Sequence, residues 1–276
     1  MTYKGSIALL IFLSLAATVV PRLGQFPFLF LTKENLMESV IEKGTLYELG
    51  QRIIQAGGMS IRDVDNGEEP FLYSSGNKGP GYVSIKGLVS RTSLRDALVE
   101  CLAATLAARC PDVEFVAANV TGGVPYGVLL HQRLSRILGR DIPMVYVRDT
   151  RKRGGHKEHV TGVDGLEPAS RGIVIEELVN YATTTTNSAV LLRDLGFKVS
   201  HAACIVSYDT SPCHELLRGN GLELIHLLTI DQLIAIAEVN KVFPAQAIAS
   251  YREFLADPAA WMATRKLSRD EQGGTK

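Results

Sequence analysis

Charge of one sign is what this sequence lacks most clearly: 29 Lys and Arg residues balance 29 Asp and Glu residues. A neutral chain has no overall field to draw it onto nucleic acid or an anionic membrane surface, so any attraction for a phosphorylated ligand must be local. Cysteine is also scarce. Cys101, Cys110, Cys204 and Cys213 form no CxxC pair and have no histidine at zinc-ligand spacing, which excludes a redox dithiol and a structural zinc site. Reduced thiols in a reducing compartment are the expectation. Internal repeats and low-complexity linkers are missing too, which removes solenoid and array architectures. What is present in quantity is apolar surface, 46% of residues over 276 positions, ample for one large domain with a sizeable core.

The amino terminus departs from this pattern. After Lys4 comes GSIALLIFLSLAATVV, about the length of a signal-peptide core and short for a membrane span. Pro21 and Arg22 end it, and FPFLFL at Phe26 to Leu31 adds a second apolar patch. Three readings stay open: a targeting or anchoring segment, an added helix packed on the domain, or an upstream start with the working protein beginning near Met37. Membrane contact is expected only if this segment is an anchor; otherwise the main domain is expected to be cytoplasmic. The division expected is 1–31 as an apolar extension, 32–235 as the main domain, and 236–276 as a helical extension with a polar tail.

From Thr32 onward, apolar strands alternate with amphipathic helices. Helices are expected at Lys33 to Ala56, ended by Gly57–Gly58, at Ser93 to Arg109, Tyr126 to Leu138, Thr184 to Leu195 and Ala245 to Leu255. Strands are expected at VEFVAANV before TGG, then at Pro143 to Val147, Gly172 to Ile175, Val199 to Val206 and Leu222 to Leu228, with a polar loop from Arg148 to Gly165. The fold class this implies is α/β, with a mostly parallel central sheet covered by helices on both faces. Such sheets bind ligands beyond the carboxyl ends of their strands.

The segment richest in chemistry is GIVIEELVNYATTTTNSAVLLRDLGFKV, Gly172 to Val199: a buried strand, two adjacent carboxylates, a hydroxyl-rich turn and a helix. Backbone N–H groups and the dipole at a helix start suit a phosphate. Carboxylates at the strand end suit ribose hydroxyls, and one can help place a magnesium ion through water. The plain alternative makes Glu176 and Glu177 surface charges and Thr183 to Thr186 an ordinary cap.

This segment resembles the phosphoribosyl pyrophosphate motif of the type I phosphoribosyltransferases. Further stretches are similar to the orotate branch of that family: FLYSSGNKGPGYVSIKGLVSR (Phe71 to Arg91), TGGVPYG (Thr121 to Gly127), YVRDTRKRGGHKEHVTG (Tyr146 to Gly162) and GLELIHLLTIDQLI (Gly221 to Ile234). The likeness spans about residues 37 to 235 in one order. It implies a type I phosphoribosyltransferase-like fold with a small hood and a mobile loop, and orotate phosphoribosyltransferase activity: orotate and phosphoribosyl pyrophosphate give orotidine 5′-monophosphate and pyrophosphate in the synthesis of UMP. Arg148 and Lys152 fall on the family's phosphate-contacting arginine and catalytic lysine. The resemblance further implies phosphoribosyl pyrophosphate contacts from Glu176, Glu177, Asn180, Tyr181, Ala182, Thr183, Thr184, Tyr126 and His156, and orotate contacts from Tyr82, Val83, Asn180 and Tyr208. Magnesium is expected through the ligand near Glu176 and Glu177 with no direct protein ligand. A homodimer with the loop closing over the neighbouring subunit's site is also implied.

The chain departs from the family's pattern in places. Asn180, Tyr181 and Ala182 stand for Thr-x-Gly, Asp149 for a frequent lysine, Gly154 for histidine or tyrosine, and Ser74 for a lysine found in some members. Ser207 and Tyr208 stand for an Asp-Arg pair whose arginine meets the base carboxylate, a charge-assisted bond that is lost here. Two alternatives therefore stay open: a non-catalytic relative acting as a binding or regulatory protein, and a phosphoribosyltransferase for another base. Asp209 and Arg218 are candidates for the lost arginine's place.

Overall fold

The computed structural model describes residues 33–148 and 159–270, with side chains from Gly44 onward. The chain divides into two units, Met1–Glu42 and Lys43–Lys276. Helix α1, Lys33–Gln55, supplies the second unit with Leu49, Ile53 and Ile54, all buried, and stops at Gly57, whose φ of 79° is glycine territory.

Two short antiparallel ladders follow. Strand β1 (Met59–Ile61) pairs with β4 (Gly81–Val83), and between them β2 (Phe71–Leu72) pairs with β3 (Lys78–Gly79). These pieces form the small hood. Helix α2 (Thr92–Arg109) leads into β5 (Phe115–Asn119), α3 (Gly123–Leu138) and β6 (Met144–Val147). Beyond the undescribed residues come β7 (Val160–Thr161), β8 (Arg171–Ile175), β9 (Leu178–Val179), α4 (Thr183–Asp194) and β10 (Lys198–Ser207). Helix α5 (Ser211–Gly219), β11 (Glu223–Thr229) and α6 (Ile230–Val239) complete the alternation, followed by α7 (Ala245–Ala256) and α8 (Pro258–Thr264).

The main sheet has the order β11-β10-β8-β5-β6-β7, with β9 beside β10. All its pairings are parallel except β6 with β7. Its centre is apolar on both faces: β5 is buried at every position, as are Gly172 to Ile175 of β8. One buried layer joins Leu98, Leu102, Leu130 and Ile173 to the α7 residues Ile248 and Tyr251, and the other joins Phe115, Val145, Val174 and Leu192. Each such side chain contributes roughly 1.5–3 kcal/mol by leaving water. Residues 245–264 thus belong to the first of these layers.

Several expectations need correction. Helix α3 starts at Gly123, not at Tyr126, so the TGG turn runs straight into it. The polar loop from Arg148 to Gly165 is interrupted, since β7 returns antiparallel to β6 and a 3-10 turn covers Val163–Gly165. Strand β9 and helices α5 and α8 were not foreseen; each is short, and periodicity needs length to register.

Candidate functional site

The site lies at the carboxyl ends of β5, β6, β8 and β10. Asn119 closes β5, and its Nδ2 donates to Glu176 Oε1 at 2.5 Å. Asn119 is 1% exposed and its own Oδ1 has no hydrogen-bond partner. The turn after β5 brings backbone against the second carboxylate: a Cβ placed at Gly122 would overlap the Glu177 carboxylate group, so only glycine permits the approach. The Val120–Thr121 peptide within this turn is cis.

The phosphate turn departs from glycine yet keeps a glycine-like path. Ala182 adopts φ 59° and ψ 14°, a left-handed conformation, immediately before α4. No side chain caps that helix start, so its first N–H groups are the donors the sequence anticipated for an anion. Thr185 and Thr186 are buried, whereas Tyr181 is 53% exposed.

A cleft of about 700 Å³ extends from this turn to the hood. Glu177, Asn180 and Tyr181 line it on one side, Tyr82 and Val83 on the hood side, and Tyr208 at the end of β10. The structure thus gathers six of the anticipated residues from three distant segments around one space. Glu176, Ala182, Thr183 and Thr184 adjoin that lining in sequence without forming part of it. Arg148 follows β6, its guanidinium 5.1 Å from the centre of the Tyr146 ring, and its amide donates to His159 O at 2.8 Å. Lys152 and His156 lie outside the described residues.

One anticipated residue does not line the cleft. Tyr126 is fully buried, its hydroxyl donates to Ile85 O at 2.8 Å, and burial followed by the nearby Glu177 charge pushes its pKa up to about 12. It lies on the inward face of α3 and braces the hood strand's exit. Neither Asp209 nor Arg218 lines the cleft; Asp209 pairs with His214 Nε2 at 2.9 Å.

Sequence reasoning missed Tyr73, Lys86, Phe254, Leu255 and Pro258, all of which line the cleft. Lys86 is the one cation among its described lining residues. Phe254, Leu255 and Pro258 sit in the C-terminal extension, where nothing in the sequence pattern signals a return to the hood.

No protein-family model matches the chain. The orotate phosphoribosyltransferase of Dinoroseobacter shibae is 29% identical over 204 residues, which covers 73% of this chain and 87% of the relative. Among solved structures, the Leishmania donovani UMP synthase superposes with a TM-score of 0.60 at 20% identity, covering 76% of this chain and 42% of that protein. The orotate phosphoribosyltransferase of Aeropyrum pernix superposes with a TM-score of 0.56 at 23% identity, covering 71% of this chain and 99% of that one. By sequence the chain is similar to the orotate phosphoribosyltransferases, and it is built on the type I phosphoribosyltransferase fold.

Proposed function

We propose that the protein is an orotate phosphoribosyltransferase, a pentosyltransferase that joins orotate to the ribose of phosphoribosyl pyrophosphate and releases pyrophosphate, on the route to UMP. The observation that carries this reading is the single cleft shared by Glu177, Asn180 and Tyr181 with Tyr82, Val83 and Tyr208. It holds a sugar-phosphate end and an aromatic base end in one volume.

The chemistry follows from the residues. Breaking the bond from ribose C1 to pyrophosphate builds positive charge on the sugar and negative charge on the leaving group. Glu176 and Glu177 accept from the ribose hydroxyls and fix the ring, with Asn119 holding Glu176 from the strand beside it. The N–H groups at the start of α4 take the 5′-phosphate. Tyr82, 38% exposed, lays its ring against the base. Arg148 and Lys152 oppose the leaving group's charge, and closure of the segment that carries Lys152 keeps water from the activated sugar.

The donor set fits a magnesium ion held through the substrate. Two carboxylates flank the glycine turn, while among the described residues no group of three or more His, Cys, Asp or Glu converges to enclose a metal. When bound, the ion would sit near Glu176 and Glu177 and supply positive charge at the pyrophosphate. We further read the protein as a homodimer in which each loop serves the other subunit's site, and residues 32–235 as the catalytic domain, cytoplasmic in location, with 236–276 as a C-terminal helical extension and polar tail. No helix among the described residues is long and apolar enough to cross a membrane.

Replacing Lys152 by alanine tests the assignment: turnover is expected to vanish while the circular dichroism spectrum and Tm stay those of the parent. Full activity in that variant would refute the role of the loop. A second reading, transfer to a different base, is favoured by the neutral hydroxyl of Tyr208 at the base end. Competition of uracil and adenine with orotate for the same turnover decides between the two.

A further inference from the structure

The hood side of the cleft carries one positive charge among its described residues, that of Lys86, and the chain around it is held firmly. Strand β4 ends at Val83, and the residues after it are anchored in turn. Ser84 N donates to Gly58 O at 2.9 Å. Ile85 is buried, and its carbonyl accepts from the Tyr126 hydroxyl at 2.8 Å. Leu88 is buried as well, and its N–H closes a turn onto Ile85 O at 3.0 Å. Between these anchors Lys86 opens the 3-10 turn Lys86–Ser90; it is exposed and borders the cleft. The backbone beneath Lys86 is therefore fixed, while its side chain stays free to meet a ligand.

Other cations near the hood are already engaged. Arg62 lies 3.8 Å over the Phe71 ring and donates to Glu69 O at 2.8 Å. Arg265 makes two bonds of 2.7 Å to the Asp65 carboxylate, and Arg269 donates to Ser75 O at 2.8 Å. The Lys86 ammonium, by contrast, forms no hydrogen bond or ion pair among the described residues. An unpaired lysine on open surface is ordinary, but this one shares a concave space with Phe71, Tyr82, Val83 and Phe254. Apolar walls screen a charge less than water does, so its field reaches a ligand there more strongly. Glu177, the one acid among the described lining residues, stands on the other side, which makes the cleft negative toward the sugar end and positive toward the base end. We propose that Lys86 binds a carboxylate on the base, and that the cleft thereby selects a pyrimidine bearing a carboxylate over the same pyrimidine without one. The bond is charge-assisted, the kind that discriminates most sharply when one partner is removed. This inference rests on the cleft being a phosphoribosyltransferase site.

Isothermal titration of the full chain with orotidine 5′-monophosphate and with uridine 5′-monophosphate tests it, because the two nucleotides differ only in the carboxylate. The proteins compared are the parent, Lys86→Met, which keeps the apolar stem without the charge, and Lys86→Arg, which keeps the charge. Lys86 is exposed, so both variants are expected to fold with the parent's Tm. The parent is expected to bind orotidine 5′-monophosphate at least about ten-fold more tightly than uridine 5′-monophosphate. Lys86→Met is expected to lose that preference by weakening the carboxylated nucleotide alone, with the Kd of the other within about two-fold of the parent. Lys86→Arg is expected to restore most of the preference. Unchanged binding of orotidine 5′-monophosphate in Lys86→Met overturns the proposal, as does a parent without preference. Equal weakening of both nucleotides also overturns it, since it would place Lys86 on the phosphate or ribose they share. A parent that prefers the carboxylated nucleotide through Lys86 but never forms it from orotate refutes the proposed function while the role of Lys86 stands; a parent that binds neither nucleotide overturns both.

Discussion

Asn119 and Glu176 join the ends of two adjacent parallel strands, the amide of one donating to the carboxylate of the other at 2.5 Å. The bond spans β5 and β8, so it fixes the turn that holds Gly122 relative to the strand that carries the acidic pair. Asn119→Asp would set two carboxylates together in a buried position, where like charges cannot both ionise cheaply. Loss of about 1–3 kcal/mol of stability is expected from denaturant titration, together with a fall of at least about 100-fold in kcat/KM, of the size seen when a positioned charge is displaced. Parent-like kinetics would show that Glu176 does not need this partner.

Gly122→Ala separates approach from backbone freedom. Gly122 has φ −70° and ψ −35°, which alanine adopts readily, so the only cost is the overlap of its Cβ with the Glu177 carboxylate. The KM for phosphoribosyl pyrophosphate is expected to rise at least about ten-fold, with Tm nearly unchanged because the carboxylate is at the rim of the cleft and can move. A large fall in Tm with normal KM would instead make the glycine structural.

How much of this was legible in the sequence follows from the physics of each element. The long helices and the central strands could be read because burial imposes a period on them, as in the continuous apolar runs of β5 and β8. The acidic pair and the hydroxyl turn could be read because their order follows a strand and precedes a helix. The burial of Tyr126 could not be read because a tyrosine near a ligand turn and a tyrosine on the inward face of a helix look alike in one dimension; the bond to Ile85 O appears only in the fold. Phe254 and Leu255 could not be read at all, since their approach to Gly79 and the hood is a tertiary return across most of the chain.

Ala182 offers a test of the phosphate turn. A non-glycine residue in the left-handed region costs about 1–2 kcal/mol, partly offset by the extra unfolded-state entropy that glycine would bring. Ala182→Gly is expected to raise stability by up to about 1 kcal/mol in urea titration and to leave phosphoribosyl pyrophosphate binding equal or tighter. Weaker binding would mean that the methyl group itself helps shape the turn.

His226 should give the fold a pH dependence of its own. Burial lowers its pKa below the ordinary histidine value, against an opposing pull from Asp209, and its Nδ1 is buried without a partner. The folded pKa lies below the unfolded one, so the unfolded state binds the extra proton first as pH falls. The stability it supports is present above about pH 6.5 and is lost on acidification toward the folded pKa. In His226→Phe the fall of Tm between about pH 7 and pH 5 is expected to be shallower than in the parent; identical slopes would place the acid sensitivity elsewhere.

The most direct test of the whole account is pyrophosphate release by the purified full chain given phosphoribosyl pyrophosphate, magnesium and orotate, with uracil and adenine as control acceptors. Orotate-dependent release with formation of orotidine 5′-monophosphate is the expected result. A folded protein that releases no pyrophosphate with orotate, while binding or using another base, would contradict it.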